Sequence, residues 1–373
     1  MEQFQSVLLC FALQFLYTAG DRQTRGLAHR TQLLETTMAE EIPKRKVWIG
    51  FDLGGTKMMA VVFDDKLKVL AKKRRKTRGN EGEQVALDRL AETILQALEE
   101  AGIQPDEIAG IGAGVPGPLN LQTGVILEAP NLGWKNVPLQ EFLSKRFKCP
   151  AAICNDVDAG VFGEYSSGAG QGFRCVLGVF PGTGIGGGCV YEGKIFRGSK
   201  STCMEVGYIQ MATEGPAAGA GPVGTLEGLA SRLAISAEAA KAVFRGQAPH
   251  LKELAGTDIN KIRSSVLAKS IEMGDKAIEV IVRRAAEQVG RGIGSLINIL
   301  APDSVILGGG LVEAMPRLYL EGVREGIRRN ALQSLAECAK LKVSELGDLA
   351  GAIGAAAWVR QEYGDATKTE KKS

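Results

Sequence analysis

A glycine-rich loop set between two apolar strands occurs twice in this chain, and that repetition limits the possible folds more than any other feature. Residues 46–52 (KVWIGFD) and 58–63 (MMAVVF) flank Gly54-Gly55-Thr56-Lys57, and residues 66–77 continue as a third, more exposed strand. Such a run of short strands joined by tight turns reads as a meander. A helix follows over 83–101, with Leu87, Leu90, Ala91, Ile94 and Leu98 at helical spacing and Gly102 as its stop, and then a strand over 108–113. From about Cys149 the order returns: a strand at 151–156 (AAICND), a helix over 159–166, and two strands within 174–191 around Gly182 to Gly188, with 193–196 continuing the second. Two related α/β lobes facing one cleft are the expected architecture, with the N-terminal lobe over 38–154 and the C-terminal lobe over 155–363. Further helices are expected at 226–244, 261–269 and 276–300, with a strand at 304–307 running into Gly308-Gly309-Gly310. A late helix near 351–363, which can pack back on the first lobe, precedes a polar tail at 364–373.

Composition removes several classes. The 45 Lys and Arg against 42 Asp and Glu leave a net charge of +3, too small for a surface that tracks nucleic acid. The seven cysteines contain no C-x-x-C pair, which argues against a disulfide scaffold or a cysteine-rich zinc module and for a reducing, cytoplasmic setting. Two histidines make a histidine-centred site implausible. The apolar run at 7–17 has no basic residues before it and falls short of the roughly 20 residues a membrane helix needs. Residues 1–37 are therefore expected to be a disordered or untranslated leader rather than a targeting segment or docking helix, with translation starting at Met38.

Three short motifs offer chemistry. Asp52 to Lys57 places a carboxylate at a strand end, followed by bare backbone N–H groups, one hydroxyl and one ammonium, a set suited to phosphate. Gly182-Thr183-Gly184 opens a second such loop. Its match to G-x-G-x-x-G is not a dinucleotide fingerprint, because a strand pattern comes next where a helix is required; the match at Gly112 to Gly117 fails because Pro116 and Pro118 forbid a helix there. No P-loop is present. Asn155-Asp156 ends a strand and begins a helix, which fits a base and a positioning amide in a cleft and fits a plain helix cap equally well. The basic stretch at 66–78 reads as a solvated edge strand rather than a nucleic-acid patch.

Taken together, Asp52 to Lys57, Gly112 to Gly117, Asn155-Asp156, Glu164, Gly182 to Gly188 and Glu205-Val206-Gly207 stand in the order and spacing of the ROK family of sugar kinases, repressors and open reading frames. The chain resembles this family over residues 46 to 360, and within it the bacterial glucokinase branch. The resemblance implies the two-lobed, actin-like ATPase fold of hexokinases (ribonuclease H-like α/β), with ATP and Mg²⁺ as cofactors and a hexose, glucose first, as acceptor. It implies Asp156 as general base, with Asn155, Glu205, Glu227 and Gly117 on the sugar side. Gly54, Gly55, Thr56 and Lys57 together with Gly182, Thr183 and Gly184 would hold phosphate, Gly309 and Gly310 the adenosine side, and Asp52 the Mg²⁺, through water. A homodimer without nucleic-acid or membrane partners is expected. A silent sugar sensor, another hexose or N-acetyl sugar, and polyphosphate as donor all stay open.

The chain departs from the family at its zinc motif. Tyr208 stands in place of a histidine that also touches sugar, and Ala218, Ala220 and Thr225 stand in place of three cysteines. Zinc needs about four N, S or O donors, so no zinc site is expected here, and Tyr208 can present its hydroxyl to the sugar instead. The family's repressors carry an N-terminal helix-turn-helix, and no such helix pair is legible before the first strand.

Overall fold

The computed structural model describes residues 47–198, 204–217 and 221–364, which all fall within one compact unit, Arg45–Ser373. The expectations for the leader and the polar tail concern residues outside this set, apart from Gly364.

Strands β1 (Val47–Leu53), β2 (Lys57–Phe63) and β3 (Val69–Lys76) form the expected meander. β3 starts three residues later than the sequence suggests, because Asp64 Oδ1 accepts from the amides of Lys66 and Lys68 and folds that stretch into a turn. Helix α1 (Glu83–Ala101) buries Leu87, Leu90, Ala91, Ile94 and Leu98 and is closed by Gly102 in the left-handed region. β4 (Ile108–Val115) comes next. A small sheet of β5 (Leu119–Asn120), β6 (Val125–Ala129) and β7 (Trp134–Val137), and helix α2 (Leu139–Phe147), carry no strong periodicity and were not legible in the sequence. β8 (Ala151–Asn155) leads into α3 (Asp156–Ser167), and β9 (Cys175–Pro181), β10 (Ile185–Tyr191) and β11 (Lys194–Ile195) form the second meander.

The helices α4 (Leu226–Ala230) and α5 (Arg232–Phe244) replace the single expected helix. Ser231 is extended, and its side chain accepts from Ala234 N, so it caps a new helix. Helices α6 (Pro249–Ala255), α7 (Ser264–Met273) and α8 (Lys276–Leu300) come next, then β12 (Ser304–Leu307), α9 (Gly310–Ala314), α10 (Pro316–Asn330), α11 (Gln333–Cys338), β13 (Lys340–Val343) and α12 (Ala350–Tyr363). The expected helix at 261–269 starts at Ser264 because Arg263 is extended.

Two five-stranded sheets result, in the orders β3-β2-β1-β4-β8 and β11-β10-β9-β12-β13. In both, the first three strands pair antiparallel and the last three parallel. The repeat seen in the sequence is thus a repeat of topology. Each sheet has its own core: Phe51, Leu90, Ile94 and Trp134 in one, Leu177, Val289, Ile293 and Tyr319 in the other.

Helix α12 packs against β1 and β4 and along α3. A Cβ on Gly50, Gly112 or Gly354 would lie 1.9, 1.8 or 1.7 Å from the carbonyl oxygens of Ala352, Ala355 and Ala159, so these glycines exist to let backbones touch. Gly112 in the GAGVPG segment therefore serves packing. Glu164 on α3 is fully buried and accepts from the amides of Ala169 (2.9 Å), Glu345 (3.2 Å) and Leu346 (2.9 Å) and from Ser344 Oγ (2.5 Å). It fastens the loop that leads into α12. Replacing Glu164 with Gln turns an acceptor toward these donors as a donor itself, so thermal melting should show a loss of about 2 kcal/mol, the usual cost of a buried unpaired group.

Candidate active site

Asp156 is the first residue of α3 rather than the last of β8, and α3 begins three residues earlier than expected. The reason is local. Asn155 adopts φ −62° and ψ 146°, and its Oδ1 accepts from Val157 N (2.9 Å) and Asp158 N (3.3 Å). The cap reading is therefore realised, and it occupies the amide oxygen of Asn155 rather than its NH₂. Asp156 Oδ1 accepts from Val157 N at 3.0 Å. Burial raises the Asp156 carboxyl, opposed by hydrogen bonds from Val157 and from its own backbone.

Other carboxylates press on it. Asp52, at the end of β1, is pushed up to about 6, by burial first and then by the charges of Asp156 and Asp348, against Arg74. Asp158 belongs to none of the motifs legible in the sequence. It is buried on α3 and pushed up to about 7 by burial, with Arg197 opposing and Asp156 and Glu205 adding. Glu205 is exposed yet raised by the surrounding protein, by Glu227 and by Asp156. The structure thus gathers Asp52, Asp156, Glu205 and Glu227 into one electrostatic neighbourhood.

The two loops differ from their sequence outlines. In the first, Gly54 N donates to Lys57 O (2.9 Å), Thr77 Oγ1 donates to Gly54 O (2.7 Å) and Thr77 N to Thr56 O (2.9 Å). Loop carbonyls are thereby occupied, while Gly55, Thr56 and Lys57 stay exposed. The second loop is only Gly182 to Gly184, because Gly186, Gly187 and Gly188 lie in β10 and pair with β9. A Cβ on these three would strike Val157, Val206 and Val161, so they are packing residues. Gly182 N donates to Gly184 O (2.8 Å), and Arg232 binds the loop twice, through its own N to Gly182 O (2.9 Å) and its Nη2 to Thr183 Oγ1 (2.9 Å). Glu227 Oε2 accepts from Ile185 N (2.7 Å), and a Cβ on Gly184 would sit 2.3 Å from that oxygen. Arg232 was missed because nothing in its local pattern marks it.

A cavity of about 730 Å³ is lined by Thr56, Lys57, Arg232, Arg263, Ser264 and Gly310, among others. A smaller one of about 250 Å³ is lined by Asp52, Asp156, Phe180, Gly309, Asp348 and Gly351, among others. Glu313 lines both. Gly309 has φ +84°, which lets the chain turn sharply into α9 between them. Neither cavity takes in Asn155, Gly117, Glu205, Tyr208 or Glu227. Gly117 has φ +86°, and a Cβ there would meet Glu128 O at 2.1 Å, so backbone geometry demands glycine whatever it binds.

Among the described residues no group of three or more His, Cys, Asp or Glu side chains is placed to hold a metal. Of the positions that depart from the zinc motif, Thr225 is buried with its Oγ1 accepting from Gly228 N (3.2 Å), and Tyr208 is an exposed phenol. Neither suits zinc. Ala218 and Ala220 lie outside the described residues.

A two-lobed arrangement of duplicated sheets with a cleft of this kind is the actin-like ATPase fold of hexokinases. The chain belongs to the ROK family, which it matches over residues 48–362. It is 31% identical over 324 residues to a glucokinase of Thermotoga maritima, covering 87% of this chain and 100% of the relative. It is also 29% identical over 311 residues to a xylose repressor of Caldicellulosiruptor bescii, covering 83% of this chain and 77% of that protein. Among solved structures, the ROK hexokinase of Thermus thermophilus superposes with TM-score 0.73 at 34% identity, covering 86% and 99% of the two chains. A ROK glucokinase of Streptomyces griseus in complex with glucose and AMPPNP gives 0.73 at 29%, covering 84% and 99%. Among the described residues no helix is long and apolar enough to cross a membrane.

The raised carboxyl of Asp52 carries a stability cost with a definite sign. Its folded value of about 6 exceeds the unfolded 3.8, so the folded state holds the extra proton between them and loses stability as pH rises through this window. Asp52→Asn should therefore raise the unfolding free energy at pH 7.5 by about 1–2 kcal/mol after allowance for solvent, with the gain vanishing near pH 4.

Proposed function

We propose that the chain transfers the terminal phosphoryl group of ATP to the 6-hydroxyl of glucose, with Asp156 as the base. That it is a sugar kinase rests on family membership and on its similarity to glucokinases and a ROK hexokinase over most of its length. The choice of glucose and ATP draws support from the Streptomyces griseus relative, solved with glucose and AMPPNP. The observation that carries the proposal is that Asp156 and Asp52 line one small cavity that shares Glu313 with a cation-lined larger one.

In this reading the sugar O6 attacks the terminal phosphorus, the bond from that phosphorus to the bridging oxygen breaks, and the O6 proton passes to Asp156. The amide NH₂ of Asn155, free of the helix cap, donates to a neighbouring sugar hydroxyl. Glu205, Glu227 through its Oε1, Tyr208 and Gly117 complete the sugar side. Gly54, Gly55, Thr56 and Lys57 meet the phosphates from one lobe, Gly182, Thr183 and Gly184 from the other, with Gly309 and Gly310 toward the nucleoside. Such a site works by alignment and by fixed dipoles, since phosphoryl transfer asks for little covalent help from the protein. The crowding of carboxylates around Asp52 suits a cation, and Mg²⁺ typically takes one or two carboxylates plus substrate phosphates. Asp52 would hold it through water, and it would supply neutralisation of phosphate charge. The burial that raises Asp156 strengthens it as a base once it is ionised, and its place at a helix N-terminus favours the ionised form. The protein is further proposed to act as a cytoplasmic, zinc-free homodimer.

A sugar sensor without turnover is the second reading, favoured by the likeness to the xylose repressor. A coupled assay crossing hexoses and N-acetyl sugars with ATP and polyphosphate separates the two. Turnover with glucose and ATP is expected; its absence for every pair would leave the sensor. Asp156→Asn should lower kcat about 10²-fold or more with little change in glucose KM, and near-wild-type turnover would reject Asp156 as the base. Tyr208→Phe should raise glucose KM by the worth of one hydrogen bond, about 0.5–1.5 kcal/mol, without changing kcat.

A further inference from the structure

Arg232 and Arg263 have no part in the sequence-derived site, yet both line the larger cavity together with Thr56 and Lys57. Their surroundings are unusual for this surface. Arg74, Arg283 and Arg328 are ion-paired with carboxylates, whereas neither Arg232 nor Arg263 forms a salt bridge with a described residue. Glu313 lines the same cavity and pairs with neither. Arg232 is half-buried and bound to the Gly182 to Gly184 loop through its backbone N to Gly182 O and its Nη2 to Thr183 Oγ1. Burial and the neighbouring positive charge of Arg263 both depress the Arg232 guanidinium, so two like charges stand near each other with no salt-bridge partner among the described residues. Arg263 immediately precedes α7 in extended conformation and lines the cavity. The hydroxyls of Ser264 and Ser265 line the cavity beside it.

We infer that Arg232 and Arg263 form a clamp on the phosphate chain of the donor, reading its charge from the C-terminal lobe while Lys57 does so from the N-terminal lobe. This inference rests on the kinase reading of the cleft. A polyanion is the ligand whose arrival removes the arginine–arginine repulsion, and guanidinium forks suit phosphate oxygens better than a single ammonium does. The bonds from Arg232 to Gly182 O and Thr183 Oγ1 add a second effect: donor phosphate bound at Arg232 also fixes the loop that it holds. The clamp should therefore set how strongly the site distinguishes a donor with several phosphates from one with none.

The test uses the full chain and calorimetric titration with AMPPNP, ADP and adenosine, each with Mg²⁺ present, in wild type, Arg263→Gln and Arg232→Lys. Arg263→Gln should weaken AMPPNP and ADP about ten-fold or more and adenosine less than about two-fold. Arg232→Lys keeps the charge but loses the fork, and should fall between wild type and Arg263→Gln for AMPPNP. Arg317→Gln, an exposed arginine paired with Glu321 away from the cavity, serves as the control and should leave AMPPNP affinity unchanged. An AMPPNP affinity unchanged in Arg263→Gln, or a loss of equal size for adenosine, would overturn the clamp, as would a wild type that binds no AMPPNP. Failure of the kinase reading looks different: AMPPNP binds and depends on Arg263, but no sugar is phosphorylated.

Discussion

Backbone contact between the last helix and the first lobe governs how this protein is put together. Helix α12 reaches its place only because Gly50 on β1, Gly112 on β4 and its own Gly354, against α3, have no Cβ, with carbonyl oxygens standing under 2 Å from where those atoms would be. A single methyl at any of them would force the layers apart, and interiors of this density relax poorly. Because α3 begins with Asp156 and Asp52 is the penultimate residue of β1, the same contact sets the spacing of the two carboxylates that line the small cavity. A Cβ on Gly351 would itself lie 3.3 Å from the Asp52 carboxyl carbon, so the helix N-terminus is fitted to the site as well as to the core.

Glu164 extends this logic. A fully buried carboxylate with four donors is tolerable where an unpaired one is not, and its partners lie in the loop after β13 and at the end of its own helix. It joins α3 to the segment that delivers α12. The residue stands out in the sequence as part of a family pattern, while its work in the structure is to hold chain together.

The cleft reads as an electrostatic pair. One side collects carboxylates whose protons are held more tightly than usual; the other collects Lys57, Arg232 and Arg263 around a larger cavity. A substrate pair consisting of a neutral sugar and a polyanionic donor with its cation would relieve both imbalances at once. Sites prepared in this way trade stability for function, which is the reason a neutralised Asp52 is expected to make the fold more stable.

Local sequence was enough to specify the elements with strong periodicity or punctuation. The two meanders, α1 with its Gly102 stop, α8 and the Asn155-Asp156 junction were legible because each is decided by neighbours in the chain. Strand-flanked glycine loops could likewise be told from dinucleotide fingerprints, since the strand or helix after each loop is written beside it. Tertiary packing settled the rest. The small sheet β5 to β7 and the helices α2, α6, α10 and α11 escaped reading, as did the break at Ser231, where a capping side chain divides one apolar pattern into two helices. Gly186 to Gly188 looked like part of a phosphate loop and proved to be places where a valine comes too close for a side chain, and Gly112 is a place where a carbonyl does. Asp158 and Arg232 carried no local mark: the first matters through burial and the second through a loop 49 residues away, and both depend on packing that a linear pattern does not contain.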